Sequence, residues 1–170
     1  MAELTGIRVT LTTAATENAG TDDHLYIGVI GTGGGREFPL DDPDWDDFEI
    51  EEPIRYKLGA PWERVPTFFR SPRQSLPGQV NDPAFMPLEL ELVYAVYLRK
   101  QGDNSTEDDD AYRVNDVEVV LYGPASPLKR TFRLRRRGDG PWLANENGHV
   151  IYLAEVVANP GIGEPTDNPR

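Results

Sequence analysis

At 170 residues the chain is long enough for one domain with a sizeable core, and its formal net charge of −12 argues against nucleic acid as a partner, because phosphate backbones need a basic surface. No cysteine is present, which excludes a disulfide framework and thiolate chemistry. The opening MAELTGIRVTL lacks a basic-then-apolar leader and no apolar run is long enough to span a bilayer, so the expected location is cytoplasmic by default, with an extracellular one open through another export route.

Strand signals then follow one another along the chain. GIRVTLTT alternates, with Ile7, Val9 and Leu11 on one face. HLYIGVIG places Leu25, Ile27 and Val29 on one side and Tyr26 on the other. Shorter strands are predicted in REFPL and PIRYKL. LELELVYAVYLRK is the strongest, alternating at first and almost wholly apolar later. VNDVEVVLYG, LKRTFRLRRR and HVIYLAEVV complete a set of eight strands with no convincing helix. The 16 glycines and 15 prolines supply the turns between them. The pattern predicts an eight-stranded antiparallel β-sandwich over residues 1–158. A long Pro-rich insertion over 59–88 interrupts it, and the tail 159–170 reads as disordered.

The acidic charge is concentrated. LDDPDWDDFEIEE holds eight carboxylates between Asp41 and Glu52, and GDNSTEDDDAY holds five from Asp103 to Asp110. ENAGTDD adds a third acidic connection, with Asn18, Asp22 and Asp23 around Gly20. These are the first, third and fifth connections. If each strand reverses the last, all three lie at one end of the sandwich, joined by the seventh, which carries Trp142. The fourth, Pro-rich connection falls at the opposite end. Two unit charges of like sign ~4 Å apart repel by about 1 kcal/mol in water and about 4 near a protein surface. A crowd of carboxylates with few basic neighbours therefore calls for a hard cation. Calcium takes six to eight oxygens from carboxylates, amides and carbonyls, all of which these turns offer. Magnesium demands a stricter octahedron, and the absence of cysteine with only His24 nearby argues against zinc. Solubility alone is the bland alternative for such a surface.

NAGTDDHLYIGV, LDDPDWDDFE and YLRKQGDNSTEDDDAYRVNDVEV resemble the PLAT domain family, the β-sandwich found beside lipoxygenase and lipase catalytic domains. Within that family the likeness is to the C-terminal membrane-binding domain of alpha-toxin-type phospholipase C. It covers roughly residues 6 to 58 and 90 to 156. The resemblance implies two or three calcium ions. One would be held by the Asn18 side chain, the Gly20 carbonyl, the Asp110 carboxylate and the Ala111 carbonyl. A second would use Thr21 and Asp22 with Asp46 and Asp47, and a third Asp41, Asp42 and Asp44. Asn18 stands where relatives often carry Asp, which removes a charge, and the loop around Trp45 is one residue longer. The implied function is a non-catalytic module that binds calcium and then an anionic lipid or membrane surface. The alternative is a protein–protein module in which calcium only stiffens the loops. Trp45 and Trp142 suit a lipid–water interface, and Arg133 and Arg135 would meet anionic head groups.

Other motifs carry less. Arg137-Gly138-Asp139 lies in a Gly-rich turn, and GTGGG at 31–35 joins two strands rather than opening a phosphate-binding helix. Trp62, Phe68, Phe69, Phe85 and Met86 in the fourth connection suit loop-anchoring or a second binding surface. His24 and His149 are the only neutral-pH bases, and neither has a nucleophile spaced nearby. The chain is therefore not expected to be an enzyme.

Overall fold

All eight predicted strands form in the structure, a computed structural model that describes residues 1–42, 48–49, 53–59, 81–101, 110–124, 128–135 and 140–157. In chain order they are β1 (Gly6–Thr13), β2 (Leu25–Gly31), β3 (Gly34–Pro39), β4 (Ile54–Gly59), β5 (Val93–Lys100), β6 (Tyr112–Tyr122) and β7 (Lys129–Arg133); β8 (Trp142–Leu143) is an extra two-residue strand, and β9 (Val150–Glu155) is the last. Every pairing is antiparallel. The strands follow one curled path, β3-β2-β5-β9-β7-β6-β1-β4, with β8 attached to the start of β6. The path folds over into two four-stranded layers, with β3 and β4, among the described residues, as its unpaired ends. The layers are joined by a short seam between β7 and β9, where Phe132 faces Glu155 and Arg133 faces Ala154.

Period-two patterning explains which face turns inward. Ile7, Val9 and Leu11 are buried together with Leu25, Ile27 and Val29. Val96, Leu98, Val117, Val119, Leu121 and Phe132 meet them from the other strands. Each such side chain contributes about 1.5–3 kcal/mol by leaving water.

One predicted strand begins later than its alternation suggests. Leu90–Leu92 forms a single 3-10 turn ahead of β5. The N-terminal residues capture this stretch. Leu90 N–H donates to the Ala2 carbonyl (2.8 Å), and the Glu91 carboxylate accepts from Ala2 N–H (2.9 and 3.0 Å). Arg130 Nη1 donates to the Leu90 carbonyl at 2.9 Å. An L-E-L-E-L run satisfies both geometries on pattern alone, and the tertiary hydrogen bonds decide.

The described part of the Pro-rich connection, 81–89, lies along the open side of the sandwich. Asn81 donates to the Pro39 carbonyl at the end of β3, and Pro83 sits against Gly59 at the end of β4. Arg36 Nη1 donates to the carbonyls of Asp82, Pro83, Phe85 and Met86, which pins the segment to β3. Residues 60–80 and the tail 159–170 lie outside the described residues.

The outer face of the β3-β2-β5-β9 layer has its own polar lock. Tyr97 lies across Gly28, where a Cβ would stand 1.9 Å from Cζ of the ring. Its hydroxyl donates to Glu37 Oε1 at 2.9 Å, and Arg99 grips the same carboxylate at 2.6 and 2.7 Å. The Arg99 guanidinium holds Glu37 below its ordinary value of 4.5, with the Tyr97 hydroxyl adding to the effect. A depressed carboxylate stabilises the fold fully above its unfolded pKa, and that stability is lost as pH falls through the lower folded value. Glu37→Gln is therefore expected to melt lower than wild type at neutral pH. The gap should narrow as the pH drops below about 4.5. Thermal unfolding across that range checks it; a gap that stays constant to the acid limit counts against the ion pair.

Candidate functional site

Four connections converge at one end, as strand parity predicts. Leu40 N–H donates to the Leu25 carbonyl, Gln101 N–H to the His24 carbonyl and Lys100 N–H to the His149 carbonyl. These bonds tie the first, third, fifth and seventh connections to one rim. The first connection turns sharply at Asn18, whose φ of 58° is left-handed. Asparagine tolerates that region better than most residues. Ala19 N–H then donates to the Thr16 carbonyl at 3.1 Å, and Arg113 N–H reaches the Ala19 carbonyl at 2.9 Å.

Beyond that turn, oxygens from three connections meet. Asp22 N–H donates to Asp110 Oδ2 at 2.6 Å, and Thr21 Oγ1 donates to the Asp110 carbonyl at 3.0 Å. Thr21 Oγ1 also accepts from Asp23 N–H at 3.1 Å, so this buried hydroxyl is engaged within the turn. On the other side stands Glu49. A Cβ added to Gly20 would meet its Oε1 at 3.0 Å and Oε2 at 3.1 Å. Glycine thus leaves room there for carboxylate oxygens beside a bare backbone.

Glu49 reaches this place because of Phe48. Phe48 has a φ of 71°, rare for a bulky residue, yet its side chain is buried. It packs against Tyr56 and Tyr112, with ring centroids 6.5 and 6.2 Å away. Its carbonyl accepts from Thr13 Oγ1 at 2.9 Å, and that oxygen lies 3.2 Å from the Tyr112 hydroxyl. Burial drives the Tyr112 phenol well above its ordinary value, so it stays neutral at physiological pH.

The two adjacent aspartates have different surroundings. Asp22 is exposed, whereas Asp23 turns inward to an ion pair with Lys100 Nζ. Lys100 is completely buried at the end of β5. It shares inward parity with Val96 and Leu98, a signal legible in the sequence that points to a built-in cation beneath the acidic turns. Sequence reasoning missed both Lys100 and Glu49.

The remaining predicted residues are distributed as follows. Asp41 lies 3.8 Å from His24 Nδ1, and Asp42 is next to it at the start of the third connection. Ala111 directly precedes β6. Asp44, Trp45, Asp46 and Asp47 lie outside the described residues. Among the described residues, no three His, Cys, Asp or Glu side chains group closely enough to hold a metal ion by themselves. Trp142 is half-buried in β8, with the Arg113 guanidinium 5.4 Å from its ring. Arg135 is exposed just past β7. Arg133 is on the outer sheet face, paired with Glu118.

Among the described residues no helix is long and apolar enough to cross a membrane. No family model matches the sequence, and no curated protein matches it. Solved structures do share its fold. Alpha-toxin from Clostridium absonum superposes with a TM-score of 0.56 at 19% identity, covering 90% of this chain and 32% of that one. Clostridium perfringens alpha-toxin gives 0.56 at 18%, covering 89% and 32%. A lipoxygenase variant in complex with arachidonate gives 0.51 at 16%, covering 90% and 17%. The chain thus spans about a third of the toxins' length and about a sixth of the lipoxygenase, and its fold is a PLAT-like β-sandwich.

Proposed function

We propose that this β-sandwich is a non-catalytic module that binds calcium at its acidic rim and thereby attaches to a lipid surface. The observation that carries this reading is the meeting of carboxylates from two other connections, Glu49 and Asp110, around the Gly20–Asp22 turn. The donor set is all oxygen, carboxylates together with neutral carbonyl and amide oxygens, which fits a hard divalent cation of high coordination number. The Asn18 amide, the carbonyls of Gly20 and Ala111 and the Asp110 carboxylate would hold one ion, with the Glu49 carboxylate beside them. Thr21 and Asp22 with Asp46 and Asp47 would serve a second ion, and Asp41, Asp42 and Asp44 a third. Calcium supplies positive charge at an end that otherwise repels anionic head groups. Arg135 and Trp142 stand near that rim, and Trp45 belongs to it by sequence.

Binding to the folded state raises stability by about 2.7 kcal/mol per site at 100 times the dissociation constant. Calcium is expected to raise the Tm more than magnesium does, and Asp110→Ala should lose much of that shift. Calorimetric and thermal titrations check this; equal shifts in wild type and Asp110→Ala would exclude the first site. Co-sedimentation with vesicles in calcium and in chelator then tests attachment. The second reading, a protein–protein module, is favoured by Phe85 and Met86, which are 44% and 73% exposed on the fourth connection. A calcium-dependent Tm without calcium-dependent pelleting selects it.

A further inference from the structure

The strand register reveals a basic face on this acidic protein. The chain carries 29 acidic and 17 basic residues. The strands β4, β1, β6 and β7 reverse that balance, with seven basic side chains against Asp116 and Glu118. Alternation divides them. Tyr56, Val9, Val119 and Phe132 point into the core, so their neighbours in sequence point outward. Lys57 faces Arg8, which faces Val120. Two residues along, Arg55 faces Thr10, Thr10 faces Glu118 and Glu118 faces Arg133. Two residues the other way, Tyr122 faces Lys129.

Five cations thus share one outer sheet face with the carboxylates of Asp116 and Glu118, over about 14 Å across the strands and about 13 Å along them. Glu118 is claimed twice, by Arg8 Nη2 at 3.2 Å and by Arg133 Nε at 2.6 Å. Two guanidiniums on one carboxylate leave a positive excess. Arg55, Lys57 and Lys129 have no ion-pair partner among the described residues. At physiological ionic strength the Debye length is about 8 Å, so an approaching surface senses this local sign rather than the net −12 of the chain.

The geometry points to the outer face of the β4-β1-β6-β7 layer as a calcium-independent contact for an anionic bilayer. The cations are scattered in two dimensions over a sheet face, which matches a plane of head groups. A nucleic-acid duplex would touch only one line of them. This deepens the proposed attachment to lipid and rests on it for context, but it uses different residues and needs no metal.

The test is co-sedimentation of the full chain with vesicles of equimolar phosphatidylcholine and phosphatidylserine, in chelator, at low and at physiological salt. Wild type is expected to pellet at low salt and to be released as salt rises, and pure phosphatidylcholine should not retain it. At about 1 kcal/mol per surface cation, Arg55→Gln with Lys57→Gln should weaken binding roughly thirtyfold, and Lys129→Gln alone roughly fivefold. The Tm of each variant, and its calcium-induced shift, should match wild type, which separates lost charge from lost fold. Failure of wild type to pellet in chelator overturns this face while leaving calcium-dependent attachment intact. Pelleting in chelator that calcium does not increase supports the face and removes the rim reading. Unchanged binding in the variants, or duplex DNA captured through the same residues without vesicle binding, also overturns it.

Discussion

Phe48→Ala is expected to destabilise the protein by about 3–5 kcal/mol. For a chain of this size that is a fall in Tm of roughly 6–20 °C. The side chain fills the space between Tyr56 and Tyr112, and its loss leaves a cavity under the third connection. The backbone adds a second signature. Phe48 pays for its φ of 71°, as any residue with a Cβ does, and glycine does not. Phe48→Gly should therefore lose about 1 kcal/mol less than Phe48→Ala, despite removing more side chain. Thermal or denaturant unfolding of the two variants decides this; a glycine variant weaker than the alanine one would mean that the left-handed backbone is not maintained by packing. Because Phe48 sets the position of Glu49 beside Gly20, both variants should also shrink the calcium-induced rise in Tm.

Asp23→Asn is the second large effect, expected to cost about 3 kcal/mol and roughly 6–12 °C. The substitution removes a carboxylate that pairs with a fully buried ammonium, and the Gln101 carbonyl at 3.5 Å is a weaker contact. Its neighbour gives the internal control. Asp22→Asn, at an exposed side chain, should change stability by no more than about 0.5 kcal/mol while reducing the calcium response. Adding Lys100→Met to Asp23→Asn should recover part of the loss, because a buried pair replaced by apolar atoms is better tolerated than half a pair. Equal, small losses for Asp22→Asn and Asp23→Asn would show that Lys100 does not depend on Asp23.

The strands were readable because a sandwich strand with one buried face writes its geometry as alternation. Ile7-Val9-Leu11 and Leu25-Ile27-Val29 are clean examples, and counting the reversals was enough to gather the acidic turns at one rim. The start of β5 was not readable. Whether Leu90–Leu92 extends or coils depends on hydrogen bonds to Ala2 and Arg130, far away in sequence. At the rim, parity and resemblance together brought Asp110 to the first connection, though at Asn18 and Gly20, whereas its carboxylate and carbonyl bond to Asp22 and Thr21. The division of labour between Asp22 and Asp23 followed from neither, because adjacent identical residues carry no label for the side they face. Lys100 was legible in principle, as the third member of an inward series after Val96 and Leu98. Glu49 was not, since its place depends on a left-handed bulky residue that no local rule anticipates. Arg133, expected at the rim, lies on a broad sheet face with Glu118 between it and Arg8.

The first strand of the chain lies inside its layer, between β4 and β6, and Arg8 meets Glu118 across 110 residues of sequence. During synthesis, then, β1 can pair with β4 early, but its other edge must wait for β6 until most of the protein has left the ribosome. Such an architecture closes in one late, cooperative event, on the slow timescale of non-local β folds. Its vulnerable moment comes before that closure, when the edge of β1 meant for β6 is still open and invites a chaperone or another nascent chain.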